Sequence, residues 1–472
     1  MKNTHKSKAK QRVGQARSTA DTCVPYQVDA LTPFDFRGKH LTPVGGLLPV
    51  AAMLERLGFA DLAAQEIHSR RTPRGLSLGQ LLLATVLGMY LGLFRFHQFR
   101  FIAADPMLNG VLHTTRLPAQ STFWRFLAGL HLSVGRRMVR LQEKLRARVW
   151  RGADVRVRRV TLDTDTTVHT LYGRQMGGRV SYSPKKKGAR SHQPILTFLA
   201  ETREYVAGKL RNGDRPSAVE IQAHLRHVLA SLPPGVREIR ARADSGFYCW
   251  RAVETYLSGG CEFIIVARKT ARLVEQLRNE RWKASRHKGA EEADFVYQPE
   301  GWGQPCRFVA LRFPKAPSRR EEAPEQYQLF ETSAYTYRVF VTNLKGPVYR
   351  VVDFYNHRCA AENLIKEANH EAGIEVHPFY RFDMNENHFQ CAMLAYNLNC
   401  WLALFARAGS GSLRTMRHTT LGVARQRFLF IAARLWRHAG QTGVSYSDTY
   451  AEKGALRSLM ARLRQLPPLT AT

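Results

Sequence analysis

Apolar residues recur at intervals of three and four through residues 47–67, 76–99 and 122–150, so the stretch from Gly45 to about Val149 is predicted to be helical. Asp105-Pro106, Pro118 and Gly135 punctuate it. The period then changes. Residues 159–168 alternate strictly, with Val160, Leu162, Thr164, Thr166 and Val168 on one face and Thr161, Asp163, Asp165 and Thr167 on the other. Strand-like runs follow at 195–200 and 205–209, then a helix over 217–232 opening on the capping-box pair Ser217 and Glu220. Next come a strand over 238–243 ending at Asp244, a short helix over 250–257 and an apolar strand over 263–267. From 269 to 344 the rhythm breaks into short strand-like runs at 294–297, 307–312, 327–330 and 335–341, separated by charged turns rich in Pro and Gly. One helix is expected over 352–372 and an apolar one over 389–405, after a loop containing Pro378.

The order β-β-β-α-β-α-β between 159 and 267 is that of a ribonuclease H-like core. The expected fold class is therefore α/β, a mixed sheet with an inserted β-rich subdomain, preceded by a helical region. Charge narrows the partner. The 472 residues carry 71 Lys plus Arg against 38 Asp plus Glu, a formal charge of +33 that calls for a polyanion. Six of those cations fall in the first 17 residues with no acid before Asp21, which reads as a flexible basic arm or a solvated tail. Arg136, Arg137, Arg140, Lys144, Arg146 and Arg148 stud the last helix of the helical region, a pattern that fits a solvated face as well as DNA. The longest apolar run, 81–94, has 14 residues, short of the roughly 20 needed to cross a bilayer, so no membrane partner is expected. Seven cysteines without C-x-x-C spacing argue for reduced thiols and a cytoplasmic protein, and against a zinc knuckle.

Among 38 acids, placement is what matters. Asp165 lies on the polar face of the first strand, Asp244 just past the later strand in Ala243-Asp244-Ser245-Gly246-Phe247-Tyr248, and Glu362 on a helix. In a ribonuclease H-like sheet the first and fourth strands are neighbours, and a helix near their ends can bring a third carboxylate to the same point. Carboxylates clustered so closely suit hard divalent cations. On the helix, Tyr355, Arg358, Glu362, Lys366 and Asn369 follow at spacings of 3, 4, 4 and 3 and so are expected to line one stripe. Taken alone, Glu362 and Lys366 also fit an ordinary exposed i,i+4 pair.

Asp165-Thr-Thr in a strand, Asp244-x-Gly-Phe-Tyr after a later strand and Tyr-x2-Arg-x3-Glu-x3-Lys on a helix resemble the three signature regions of DDE transposases of the insertion-sequence-four superfamily, thirteen-eighty branch. Similar too are Tyr172-Gly-x-Gln175, Ser181-Tyr-x-Pro184-Lys-Lys, Ala395-Tyr-Asn-Leu398 and Pro118-x-x-Ser121-Thr-Phe-Trp-Arg-Phe126. The resemblance implies that Asp165, Asp244 and Glu362 hold two Mg²⁺ or Mn²⁺ ions while Tyr355, Arg358 and Lys366 grip the terminal phosphates of a transposon end. It also implies double-stranded DNA partners, both terminal inverted repeats and target, a homodimer on that DNA, and a bacterial protein bound to the nucleoid. The spacing of 118 positions between Asp244 and Glu362, against 79 between Asp165 and Asp244, agrees with a β-rich insertion there. The expected organisation is a basic arm over 1–40, a helical DNA-binding region over 41–152, the catalytic core over 153–268 and 346–406, the insertion over 269–345 and a basic C-terminal region over 407–472. Rival readings are another ribonuclease H-like endonuclease that cuts without joining, and a catalytically inactive DNA-binding remnant.

One position departs from the family pattern: Asn369 stands where a lysine is usual, seven residues after the Glu. Asp163 rivals Asp165 on the same strand face, and the Thr-Thr that follows favours Asp165 by resemblance. Glu367 rivals Glu362 but lies nearly 140° round the helix, from five steps of about 100°. His192 and His370 are expected to be surface or hydrogen-bonded histidines, since two-metal chemistry needs no histidine base. Lys185, Lys186 and Lys187 fit phosphate contacts or a solvated loop. Trp250 and Trp302 fit base stacking or ordinary packing.

Overall fold

The computed structural model describes residues 28–69, 75–181, 186–314, 334–407 and 419–469. Residues up to Lys39 form one unit, whose described part is an exposed stretch with a turn in which Asp29 and Thr32 bond each other. The second unit runs from His40 onward.

It opens with strand β1 (Leu41–Thr42) and continues through helices α1 (Leu47–Arg56), α2 (Phe59–Glu66), α3 (Leu78–Tyr90), α4 (Pro106–Val111), α5 (Gln120–Gly129) and α6 (Ser133–Gly152). Side-chain caps set two of these starts, a full capping box between Ser77 and Gln80 for α3 and Asp105 before Pro106 for α4. Of the basic residues on α6 only some face out. Arg136, Arg137 and Arg140 are exposed, whereas Arg146 is buried and donates to the Tyr205 carbonyl, Arg148 donates to the Leu57 carbonyl, and Lys144 pairs with Glu66.

The sheet begins with β2 (Arg159–Thr166), followed by the small strands β3 (His169–Thr170), β4 (Arg179–Val180) and β5 (Arg190–His192), which form their own three-stranded sheet. Those three pieces are too short to show a period in the sequence. After them come β6 (Ile195–Leu199), β7 (Tyr205–Lys209), helix α7 (Ala218–Ala230), β8 (Glu238–Ala243), α8 (Trp250–Ser258) and β9 (Glu262–Val266). Helix α9 (Ala271–Asn279) and strands β10 (Lys283–Ala284), β11 (Glu291–Tyr297), β12 (Cys306–Pro314) and β13 (Tyr335–Thr342) complete that stretch. The nine-stranded sheet has the order β10-β11-β12-β13-β9-β8-β2-β6-β7, with β2 parallel to β8, β8 parallel to β9, and the remaining pairs antiparallel. The β-rich stretch after 269 thus extends the main sheet through β13 on β9 rather than building a separate one. The strand-like run at 327–330 lies outside the described residues.

The helix expected over 352–372 is two helices, α10 (Val348–Asn356) and α11 (Cys359–His370). Between them the backbone tightens into i→i−3 bonds, Arg358 to Tyr355 and Ala361 to Arg358, at 2.8 Å each, so the five-residue stripe is not one continuous face. From the far side Arg242 donates to the Phe354 carbonyl at 3.1 Å and anchors the end of α10 to β8.

Helix α12 (Phe382–Arg407) has the length and apolarity of a membrane span, but it is packed inside the protein against α3, α6 and β7. It covers the edge strand of the sheet, where the Asn397 amide bonds both the N–H and the C=O of Tyr205 and also Gln142. Trp401 and Trp150 donate to the two oxygens of buried Glu204, and Arg146 lies 3.5 Å from the same carboxylate. The chain ends with a short helix α13 (Leu421–Ala424), a hairpin of β14 (Ala433–His438) and β15 (Gln441–Tyr446) paired to β1, and α14 (Lys453–Gln465).

Candidate active site

Parallel pairing of β2 with β8 matches Asp163 with Arg242 and Thr164 with Ala243, so Asp165 and Asp244 emerge side by side at the same end of adjacent strands. Strand β2 is buried on both faces from Val160 to Thr164, and at Asp165 it again reaches solvent in part. Asp244 ends its strand by capping the single turn Ser245–Phe247, its Oδ1 accepting from the Gly246 N–H at 2.9 Å. A Cβ at position 246 would fall 2.9 Å from that same oxygen, which explains the glycine in Asp-x-Gly.

Asp163 and Asp165 have different partners. Arg242 grips Asp163 with two bonds of 2.7 Å, and both side chains are buried. Asp163 is therefore a structural ion pair rather than a surface acid. Asp165 accepts from the Thr166 N–H and faces Arg358 at 2.8 Å. Burial pushes the Asp165 carboxyl up to about 7, Arg358 pulls against that shift, and the Asp244 charge adds to it. For Arg358 burial opposes the charge, but Asp165, Tyr355, Asp244 and Asp163 together outweigh it and the guanidinium stays above its ordinary range. Its Nε is buried with no acceptor. Tyr355 packs its ring on Phe340 with centroids 4.8 Å apart, and burial raises its phenol, which stays protonated beside Arg358 and the two aspartates.

Tyr355, Arg358, Asp165 and Asp244 are thus brought together. Glu362 is not. It is exposed in the first turn of α11, and among the described residues no three acids, histidines or cysteines lie close enough to share an ion. Two adjacent carboxylates with one opposing guanidinium still fit a hard divalent cation, which would supply the positive charge that holds Asp165 ionised. Lys366, also exposed, lines a cavity of about 570 Å³ with Asp163, Arg203 and Glu367 on another flank of α11. Glu367 is structural, pairing with Arg203 at 2.6 Å and accepting from the Leu421 N–H at the start of α13.

The other candidates are placed as follows. Lys186 sits over the exposed Tyr172 ring at 5.5 Å, Lys187 is exposed, and Lys185 lies outside the described residues. His192 is buried and bonds the Met176 carbonyl, while His370 is exposed beside Glu375. Trp250 and Trp302 pack on each other at 5.8 Å, and Trp302 also meets Tyr248 and Phe308. Sequence reasoning missed Arg242, His169 and Thr167. Arg242 precedes Asp244 by two positions as Asp163 precedes Asp165, a parallel that becomes a pairing only once the register is known.

No curated protein matches the chain. Among solved structures it is similar to a piggyBac transposase synaptic complex with hairpin DNA, at 10% identity and a TM-score of 0.41, over 90% of this chain and 85% of that one. The family described as transposase DDE domain, group 1, matches residues 30–468, and over that span, which carries Asp165 and Asp244 on neighbouring strand ends, the chain belongs to this family of transposases.

Proposed function

We propose that this transposase binds the terminal inverted repeats of an insertion sequence of the insertion-sequence-four type, cuts at their ends and joins the freed 3′ hydroxyls to target DNA. Its core is read as a ribonuclease H-like sheet, β7-β6-β2-β8-β9, extended by the strands that follow. The single observation that carries the reading is the pair Asp165 and Asp244 at adjacent strand ends with Arg358 against them.

Asp165 and Asp244 would hold two Mg²⁺ or Mn²⁺ ions, with Glu362 completing the set once the first turn of α11 moves toward the strand ends. Such ions activate the attacking oxygen and stabilise the leaving one. The chain's own groups bind and orient the DNA. Arg358 presents a buried Nε without an acceptor, suited to a phosphate oxygen, and Tyr355 offers a protonated phenol beside it. Lys366, Lys186 and Lys187 add exposed cations for the phosphates farther along the duplex. Pairing two ends calls for a dimer assembled on DNA.

A strand-transfer reaction with Mg²⁺ and a short duplex bearing the element's end tests this. The wild type is expected to nick and join. Nicking without any joined product would leave an endonuclease, and an inert wild type with both Mg²⁺ and Mn²⁺ would leave a binding protein. Asp244→Ala is expected to lower cleavage by at least about 10³-fold, as loss of a metal ligand should, while end binding stays within twofold.

A further inference from the structure

Asn369, the residue that stands in place of the usual lysine, is not at a DNA-facing surface. It is 5% exposed. Its Nδ2 donates to Thr167 Oγ1 at 3.3 Å and its Oδ1 lies 3.0 Å from His169 Nε2. An amide oxygen carries no proton, so His169 donates through Nε2. A neutral His169 then has a bare Nδ1, and His377 Nε2, 2.9 Å away, must be the donor to it. His377 fits that role because burial holds it neutral, its pKa lying well below the ordinary imidazole value. The chain of bonds runs from Thr167, two residues after Asp165, through Asn369 and His169 to His377, seven residues beyond the end of α11.

From this geometry we infer that Asn369 is a positioning residue. It clamps the C-terminal half of α11 to the backbone that continues from Asp165, so that Glu362, two turns earlier on the same helical face, is aimed from a fixed pivot. A lysine at this position would place an ammonium beside the His169 imidazole and a single hydroxyl, with no carboxylate among the groups that bond Asn369. The asparagine is then a replacement of function, trading a cation for a structural link, rather than a lost contact. The inference rests on the proposed role of Glu362 in cleavage.

Four single variants of the full chain test it: Asn369→Lys, Asn369→Leu, Thr167→Val, which removes one hydroxyl, and Thr167→Ser, which keeps it. Without divalent ions, hydrogen exchange of the α11 amides is expected to quicken at least tenfold in Asn369→Leu and Thr167→Val and to remain near wild type in Thr167→Ser. End binding by Asn369→Lys, measured in EDTA by fluorescence anisotropy, is expected to stay within twofold of wild type. The Mn²⁺ concentration for half-maximal cleavage is expected to rise about tenfold or more in Asn369→Leu and Thr167→Val, as when a group that orients a metal ligand is lost, and a chain carrying both of these substitutions should be no worse than the poorer single. Tighter end binding by Asn369→Lys with an unchanged Mn²⁺ requirement would overturn the clamp, as would unchanged exchange in Thr167→Val. An inert wild type would sink the catalytic reading alone, because exchange still decides whether the clamp exists.

Discussion

Asp163 and Asp165 lie two residues apart on one strand, and their partners make opposite demands on stability. Removing the Asp163 carboxylate with Asp163→Ala would leave Arg242 buried without its counter-charge, which costs about 3–5 kcal/mol when a buried pair is broken. Asp165→Asn keeps an oxygen facing Arg358 and the Thr166 N–H, and it removes a carboxylate that burial already drives toward the neutral form. It is expected to change stability by under about 1 kcal/mol while abolishing cleavage. Urea unfolding of both variants beside a cleavage reaction checks the contrast. Equal destabilisation by the two substitutions would contradict the assignment. In the sequence the Asp-Thr-Thr pattern favours Asp165 over Asp163 by resemblance. What Asp163 does was not legible, because it depends on a parallel register between strands 79 residues apart.

At the scale of elements, α6 shows why a run of arginines resisted reading. Its 3.6-residue period turns Arg136, Arg137 and Arg140 outward, while Arg146 and Arg148 donate to the carbonyls of Tyr205 and Leu57. Nothing local marks the second kind, since the carbonyls that need them belong to other elements. If the outer three touch DNA phosphates, replacing all three by Ala should lower the salt dependence of end binding by up to about 3 in the log–log slope, with an unchanged unfolding midpoint. A slope equal to wild type would move the interface off this helix. The same logic covers the α10–α11 break. Spacings of 3, 4, 4 and 3 fit one helix, and only the bond from Arg242 to the Phe354 carbonyl and the tightened backbone at Arg358 show two. By contrast the chain order of β2, β6, β7, α7, β8, α8 and β9 was legible, because each of them carries its own local pattern of apolar and polar positions.

At the scale of the whole molecule, several buried histidines are held as neutral groups, and they contribute to its response to acid. Burial lowers His224 to about 3, His388 to about 4 and His377 well below the ordinary value. Each folded pKa lies below the unfolded value of about 6.5, so in this window the unfolded chain binds more protons than the native one. Stability therefore rises with pH up to about 6.5 and is lost as pH falls below it, by about 2 kcal/mol each for His224 and His388 at pH 5 and in the same direction for His377. Glu386 works the other way. Burial raises it to about 7, so the native state binds its proton more tightly and gains stability as pH falls from 7 toward 4.5, again by about 2 kcal/mol at pH 5. Asp165, raised to about 7 by burial, gains stability in the same way, so the two carboxyls offset about as much as His224 and His388 lose between pH 7 and pH 5, and His377 tips the sum toward a net loss. Urea midpoints across that range measure it. His224 bonds Thr197 Oγ1 at 2.7 Å, and His224→Gln keeps a polar group there without a proton to gain, so the variant should lose about 2 kcal/mol less than wild type over the same interval. A pH profile identical to wild type would mean that this imidazole is not held neutral by the fold.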